Sequence, residues 1–180
     1  VVPHGMIQPS PDTRIDGWDA CSGYYYEDST INGFSHTHVS GTGCCDYGDV
    51  LLMPTVGEQR YQTTDPQSQQ LAYSSAFSHE NETAEPGYYS VFLDTYQVKA
   101  EISATKRGAI HRYTFPESSE AGFILDLDYS LQRQTNSDMG IEVISDTEIC
   151  GHKKTTYWAF DQYINFYAKF SNPFSYTLVT

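Results

Sequence analysis

The sequence predicts an all-β fold, an antiparallel β-sandwich. Aromatic residues make up 14% of the chain, with fifteen Tyr and nine Phe, and such side chains favour pleated, half-buried surfaces over helices. Apolar and polar residues alternate with period two over much of the second half, whereas no window sustains apolar residues at helical spacing. At 180 residues the chain fits one domain, which can bury roughly 70% of the surface of the unfolded chain.

The regular part of the sheet is expected over about 88–180. Within Val98–Ala104 every second residue is apolar, which is the pattern of a half-buried strand. A turn at Lys106–Gly108 predicts a further strand over 109–115. Further candidate strands, recognised by the same alternation, cover 123–128, where Phe123 and Leu125 share a face, and 140–145, 148–154 and 164–170. Their spacing is typical of antiparallel sandwich layers.

The first part of the chain, about 1–57, is rich in Gly, Ser, Thr, Asp and His. This composition predicts loops and short strands, and it makes this part the better candidate for a functional site. The polar stretch Gln59–Gln70 is expected to be an exposed loop between the two halves. We therefore predict a single domain over 1–180, with a loop-rich, site-forming part followed by regular sheet.

Charge and cysteine content exclude several classes of function. Ten Lys and Arg face twenty-three Asp and Glu, a net charge of -13, so nucleic acid and anionic lipid surfaces are repelled. No apolar run approaches the roughly 20 residues of a membrane span. The four cysteines, Cys21, Cys44, Cys45 and Cys150, form no C-x-x-C pair, so neither a zinc knuckle nor a disulfide framework is predicted.

The segment Asp16–Tyr24 combines an aromatic ring, a carboxylate and small residues in one turn. Sugar sites use these groups, because a ring covers the apolar C–H face of a pyranose while carboxylates and amides bind its hydroxyls. Trp18, Asp19 and Cys21 are the candidates here. The alternative is that Trp18 fills the core and Asp19 caps a turn.

The segment Gly33–Asp49 is denser in polar groups than an ordinary strand. His36 and His38 are two residues apart, so on a strand they share a face and could converge on one metal or ligand. Structural hydrogen bonding is the alternative for at least one of them. Asp46 lies beyond a Gly-rich turn, so a zinc or iron site has little support. Glycines at 41, 43 and 48 would serve either close ligand approach or turns with positive φ.

The segment Phe77–Glu82 places His79 beside two acidic residues. A catalytic triad is assembled by the fold, so neighbours in sequence are no evidence for one. A hydrogen-bond cluster that closes a loop is the expectation here. No phosphate loop, dinucleotide fingerprint or nucleophile elbow is present.

Long stretches of the chain resemble family 92 glycoside hydrolases. The matching segments are Gly5–Met6, Pro9–Thr13, Asp16–Tyr24, Gly33–Pro54, Phe77–Glu80, Pro86–Tyr89, His111–Tyr113 and the closing strand. Members of that family are exo-acting α-mannosidases that invert configuration with calcium. They pair an amino-terminal β-sandwich, of the galactose-mutarotase-like supersandwich type, with a larger (α/α)6 barrel.

The resemblance implies that this chain is the sandwich of such a two-domain enzyme, which acts on α-mannosides including N-glycan mannose. The catalytic acid and base, and most calcium contacts, would then lie in a carboxy-terminal barrel absent from this chain, which alone would be inactive. The resemblance further implies no catalytic residue and no metal ligand here. It also implies an exported bacterial protein, whether periplasmic, cell-surface or secreted.

The resemblance assigns Trp18, Asp19 and Cys21 to the terminal-mannose subsite. It puts Phe77 and Ser78 on the wall of that subsite, and His36 and His38 in contact with the substrate or bracing the loop. Two departures stand out: Cys45 replaces a small residue, and a glycine-rich stretch expected before Val1 is absent.

Two further functions remain open alongside the enzyme domain, a carbohydrate-binding module and a purely structural sandwich. A binding module should present its own closed cleft, whereas half of a site should leave Trp18 and Asp19 on an open surface.

Overall fold

The computed structural model describes residues 5–39, 45–62 and 68–179. Glycines 41 and 43, Cys44 and the middle of the predicted Gln59–Gln70 loop lie outside the described residues. Contacts within the chain define two compact units, an N-terminal unit that ends at Arg133 and a C-terminal unit that begins at Gln134. The single domain over 1–180 stays a prediction.

Thirteen strands occur in the described residues. In chain order they are β1 (Ser10–Asp12), β2 (Thr30–Ile31), β3 (Gly33–Ser35), β4 (Leu51–Val56), β5 (Ser75–Ala76), β6 (Glu82–Glu85), β7 (Tyr88–Leu93), β8 (Val98–Ala104), β9 (Ala109–Thr114), β10 (Ala121–Asp126), β11 (Thr135–Val143), β12 (Glu148–Thr156) and β13 (Gln162–Lys169). Every pairing between them is antiparallel. The helices of the described residues are three 3-10 turns of three residues each. The predicted all-β antiparallel fold is confirmed.

The N-terminal unit contains two four-stranded sheets, ordered β1-β3-β4-β10 and β6-β7-β8-β9, and the pair β2-β5. Side chains from both sheets form one buried cluster, which is the arrangement of a sandwich. Strand β8 shows the predicted alternation over its first three residues, since Val98 and Ala100 are fully buried while Lys99 is exposed, but Glu101 on the face of Lys99 is also buried. The turn after β8 is closed by a 2.8 Å hydrogen bond from the Thr105 amide to the Gly108 carbonyl.

Strand β10 packs against other parts of the N-terminal unit with both of its faces, since Phe123 contacts Tyr113 and Phe115 at ring-centroid distances of 5.3 Å and 5.6 Å. Ile124 pairs with the fully buried Met53 of β4 and packs on the core, whereas Phe123 is 39% exposed. Asp126 is on the same inward face as Ile124. Its carboxylate accepts a 2.6 Å hydrogen bond from the Tyr73 hydroxyl, which compensates for the loss of solvent.

The C-terminal unit is a three-stranded sheet, ordered β11-β12-β13. Its strands are nine, nine and eight residues long. The turn between β12 and β13 carries Trp158 and Phe160, which are 70% and 78% exposed. Across the described parts of both units, no helix has the length and apolarity to span a bilayer.

Candidate functional site

Trp18 and Asp19 lie on the surface of the N-terminal unit. They begin a 3-10 turn, Trp18–Ala20, that follows Gly17 at a φ of 122°. The Trp18 side chain is 75% exposed and that of Asp19 is 55% exposed. The alternative in which Trp18 fills the core is therefore wrong.

Arg14 holds this turn through two carboxylates. Its Nε and Nη2 donate to Asp28 at 2.9 Å and 3.1 Å, and its Nη1 donates to Asp19 Oδ2 at 3.0 Å. The guanidinium also lies 4.0 Å from the ring centroid of Tyr25, a cation–π contact. The guanidinium is planar and has five N–H donors, so it can bind two carboxylates at once.

Sequence reasoning missed Arg14, although the sequence does carry a signal for it. Residues 1–57 hold seven acidic residues and one basic residue, which is Arg14. A single cation among so many carboxylates is a natural centre for ion pairs.

Two residues, Cys45 and Gln69, hold the backbone at and just before the turn. The Cys45 thiol lies 3.2 Å from the Gly17 carbonyl. The Gln69 side-chain oxygen accepts from the amides of Ile15 and Asp16 at 2.9 Å and 3.1 Å, and its amide nitrogen bonds to the Asp16 carboxylate. The end of the predicted exposed loop Gln59–Gln70 thus supports the candidate site.

His38 forms a buried ion pair with Asp12. Its Nε2 is 2.7 Å from Asp12 Oδ1, and its Nδ1 is 2.7 Å from the Gln8 carbonyl. Burial opposes a charge on the ring, but the Asp12 carboxylate outweighs it and raises the pKa of His38. Gly23 packs against this pair at a φ of 86°, and a Cβ there would overlap Asp12 Oδ1.

His36 lies in a separate, uncharged pair. Its Nδ1 is 2.6 Å from the Val50 carbonyl, and its Nε2 is 3.0 Å from Nε2 of His111. The Tyr113 hydroxyl is 2.7 Å from Nδ1 of His111. Burial lowers the pKa of both rings, that of His111 to about 3.

The two predicted histidines therefore bond to different partners, and among the described residues they belong to no group of side chains that could hold a metal ion. Strand β3 ends at Ser35, so the alternation of a strand no longer holds beyond it. His36 joins β9 through His111, while His38 joins β1 through Asp12. Both make structural hydrogen bonds, and their predicted contact with a substrate stays a prediction.

Cys21 and Phe77 are 7% and 5% exposed and belong to the core cluster. Ser78 is the N-cap of the 3-10 turn His79–Asn81, and its hydroxyl accepts a hydrogen bond from the Glu80 amide at 3.2 Å. Burial favours a supporting role for Cys21 and Phe77, while the assignment of all three to the subsite stays a prediction. The Phe77 amide donates to the Ser29 carbonyl at 3.0 Å, which brings this segment to the loop that holds Arg14.

The Glu82 carboxylate accepts hydrogen bonds from three side chains, among them His79. The donors are the Tyr24 and Tyr89 hydroxyls at 2.9 Å and 2.6 Å, and His79 Nδ1 at 2.6 Å. Burial, reinforced by the carboxylate, raises the pKa of both tyrosines. The structure thus contains the predicted loop-closing cluster around His79.

The residues described by the structure offer no group of three His, Cys, Asp or Glu side chains that could hold a metal ion. The calcium implied by the family resemblance stays a prediction, with most of its contacts expected in the barrel. Trp18 and Asp19 instead supply a flat ring face beside an exposed carboxylate. These groups can bind the C–H face and the hydroxyls of a sugar.

Comparison with known proteins identifies the family. The sequence matches the profile of the glycosyl hydrolase family 92 N-terminal domain over residues 1–180. The chain belongs to this family.

Solved structures of family 92 enzymes have the same fold. A family 92 α-mannosidase from Bacteroides thetaiotaomicron, solved with mannoimidazole, is 39% identical with a TM-score of 0.89 over 96% of this chain. A second enzyme of that organism, an inverting mannosidase, is 30% identical with a TM-score of 0.67 over 84% of this chain. An uncharacterized secreted glycosidase of Arthroderma benhamiae is 29% identical over 122 residues, which are 66% of this chain.

These relatives are much longer than the chain. The matched part is 23% and 18% of the two bacterial enzymes and 15% of the fungal protein.

Proposed function

We propose that this chain is the N-terminal domain of an inverting exo-α-mannosidase and that it forms one side of the mannose subsite. Trp18 would cover the apolar face of the terminal mannose, and Asp19 would accept hydrogen bonds from its hydroxyls. The observation that carries the proposal is the open exposure of both side chains on a turn held by Arg14, Cys45 and Gln69. The similarity to an inverting mannosidase and to a mannosidase solved with mannoimidazole supports it.

The catalytic acid and base belong, in this proposal, to a barrel domain on which the sandwich packs. Inversion needs two carboxyl groups roughly 6.5–9.5 Å apart, with a water between one of them and the sugar. The contribution of this chain is to orient the terminal mannose, so the 180 residues alone are inactive. The substrates would be α-mannosides, including N-glycan mannose, and calcium would be bound in the barrel.

We extend the proposal to export of the enzyme from the cell. The fungal relative is called secreted, and an extracellular or periplasmic site would give the enzyme access to glycans.

The test is mannose release by the full-length enzyme from an aryl α-mannoside. We expect Trp18→Ala to lower kcat/KM by roughly ten- to hundredfold, since stacking and orientation of the sugar are lost together. Trp158→Ala is the matched control, because Trp158 is similarly exposed at 70% but lies on a hairpin turn of the C-terminal unit. Unchanged activity in Trp18→Ala would remove this residue from the subsite.

A carbohydrate-binding module is the second candidate, because an exposed Trp beside a carboxylate can bind sugar without catalysis. Calorimetric titration of mannose into the 180-residue chain separates the two. If the chain supplies only half of the mannose site, mannose should not bind it with a sub-millimolar Kd. A carbohydrate-binding module should bind mannose in that range.

A further inference from the structure

His79 makes two hydrogen bonds to groups that can only accept. Its Nδ1 is 2.6 Å from Glu82 Oε2, and its Nε2 is 2.5 Å from the Tyr26 carbonyl oxygen. A backbone carbonyl carries no proton, and neither does an ionised carboxylate. Both ring nitrogens must therefore donate, which makes His79 an imidazolium if Glu82 is ionised.

The surroundings of Glu82 supply further hydrogen-bond donors to its carboxylate. Two tyrosine hydroxyls donate to it, from Tyr24 and Tyr89, and hydrogen bonds to a carboxylate stabilise its charged form. The Glu82 side chain is 10% exposed and that of His79 is 31% exposed. The shared proton of this pair therefore resides on the imidazole, which remains in contact with solvent.

Two aromatic rings contact the imidazole. The Tyr26 ring stacks on it at 4.2 Å with a 10° angle between the planes, and Phe77 meets it edge-on at 5.1 Å. A cation is attracted to an aromatic face at such distances. The ring positions are thus consistent with a charged His79.

His79 binds the segment 24–28, and the same segment contacts the Arg14 guanidinium. Tyr26 lies between Tyr25, whose ring supports the Arg14 guanidinium, and Asp28, which binds it with two hydrogen bonds. The Asp28 amide also donates to the Tyr25 carbonyl at 3.1 Å. Fixing the Tyr26 carbonyl therefore fixes the support of the guanidinium that binds Asp19.

We propose that protonated His79 is a positioning residue for the Trp18–Asp19 surface. By joining the Tyr26 carbonyl to the Glu82 carboxylate, it holds residues 24–28 in the conformation that aligns Arg14 and, through it, Asp19. Its effect on mannose rests on the proposed function, whereas its effect on residues 24–28 does not.

The contact has a defined direction of pH dependence. The titratable groups around His79 are Glu82 on β6, Tyr24 and Tyr26 on the preceding loop, Tyr89 on β7 and Glu80 on the same 3-10 turn. The hydrogen bond to Glu82 raises the pKa of His79 above its ordinary value of 6.5. The contact is therefore complete below about pH 6.5 and is lost as the pH rises through the raised pKa.

The first experiment follows His79 and Trp18 together in the 180-residue chain. Nitrogen-15 NMR should show both His79 ring nitrogens protonated at pH 6. With Trp158 replaced by Phe, the fluorescence of Trp18 should change with the same midpoint as the His79 titration. A neutral His79 at pH 6, or no change at Trp18 at that midpoint, overturns the proposal.

The variant Glu82→Gln separates positioning from simple structural support. Its amide nitrogen, at the place of Oε2, can donate to neutral His79, while its oxygen still accepts from Tyr24 and Tyr89. We expect the Trp18 signal to become independent of pH across the former midpoint in a folded chain. A signal that still titrates in Glu82→Gln contradicts the role of the proton.

Two further variants complete the series. His79→Gln should give the high-pH signal of Trp18 at every pH, because one of the two bonds is absent. His152→Gln is the matched control, since His152 lies 3.5 Å from Asp138 in the C-terminal unit and should leave the profile unchanged. A profile altered equally by both variants would make the effect unspecific and overturn the proposal.

Kinetics of the full-length enzyme then test the link to sugar. We expect KM for the mannoside to rise by roughly two- to tenfold above the His79 midpoint, with kcat little changed, and Glu82→Gln to remove the rise. If Trp18 titrates with His79 but KM stays constant, the subsite role of Trp18 and Asp19 is wrong while the positioning of residues 24–28 stands.

Discussion

Trp18 and Trp158 are both exposed, at 75% and 70%, but their surroundings differ. Trp18 lies on a turn that three side chains hold. Arg14 binds the Asp19 carboxylate, and Cys45 donates to the Gly17 carbonyl. Gln69 accepts from the backbone amides of the two residues before Gly17. Trp158 lies on a hairpin turn, where the Tyr157 ring meets it at 6.5 Å. A backbone bond of 3.3 Å from Tyr157 to Ala159 closes that turn.

The comparison shows that exposure of an aromatic ring does not by itself mark a binding surface. An aromatic side chain loses less conformational entropy on binding a ligand when its backbone is already fixed. The polar contacts beneath Trp18 supply that fixation and place a carboxylate beside the ring. We therefore expect substitutions under the Trp18 turn to have larger effects than matched substitutions elsewhere.

The largest expected effect is that of Gly23→Ala. Gly23 has a φ of 86°, and a Cβ would overlap the Asp12 carboxylate that pairs with His38. We expect the free energy of unfolding to fall by about 3 kcal/mol or more, the sum of backbone strain and a disturbed buried ion pair. Urea denaturation of the 180-residue chain measures it.

Gly57→Ala is the control for Gly23→Ala. Gly57 has nearly the same φ, 87°, but the nearest atom to its Cβ would be 4.0 Å away. Gly57→Ala should lower the free energy of unfolding by about 1 kcal/mol, because only the backbone is strained. Equal losses in the two variants would show that Gly23 is not packed against Asp12 in solution.

A smaller effect is expected from Arg14→Lys, which keeps the positive charge but loses the planar guanidinium with its several N–H donors. Lysine cannot bind Asp28 with two hydrogen bonds and reach Asp19 as well. We expect kcat/KM of the full-length enzyme for a mannoside to fall roughly tenfold, with the loss mainly in KM.

Arg112→Lys is the matched substitution. Arg112 also forms a two-bond pair, with Glu101 at 2.8 Å and 2.7 Å, on the other sheet of the N-terminal unit. The hydrogen bonds from Arg112 and Tyr88 lower the pKa of Glu101 to about 2. Mannose release should not change in this variant, so a similar loss in both would contradict a special role for Arg14.

The strands were the most predictable part of the chain, because alternation along a strand is local information. The expected strand 109–115 is observed as Ala109–Thr114, and 148–154 as Glu148–Thr156. The environments of the two faces of β10 were not predictable in the same way. Ile124 packs beside Met53 because β10 pairs with β4, far away in sequence, and Phe123 contacts Tyr113 of β9 in the other sheet.

The candidate site was predictable in its segments but not in its contacts. Composition pointed to Trp18 and Asp19, and the segment around His79 was expected to form a hydrogen-bond cluster. The roles of Arg14 and Gln69 depend on contacts that the fold creates, the latter across more than fifty residues. The separation of His36 from His38 likewise depends on the end of β3 at Ser35.

The smallest expected effect compares two cysteines. Cys45 is 2% exposed, and its thiol lies 3.2 Å from the Gly17 carbonyl beneath Trp18. Cys150 is half-buried in the C-terminal unit, with its sulfur 3.9 Å from Glu142. Cys45→Ala should lower the free energy of unfolding by about 1 kcal/mol, because a buried side chain shrinks and a carbonyl loses its donor.

Cys150→Ala should cost less than about 0.5 kcal/mol, as surface substitutions usually do. Thermal unfolding of both variants gives the two values, and Trp18 fluorescence in the Trp158→Phe background reports on the turn itself. A change in that fluorescence for Cys45→Ala, without one for Cys150→Ala, would show that the Cys45 thiol orders the exposed ring from below. Identical unfolding energies and unchanged fluorescence would mean that the other bonds of the turn, those of Arg14 and Gln69, fix Trp18 without it.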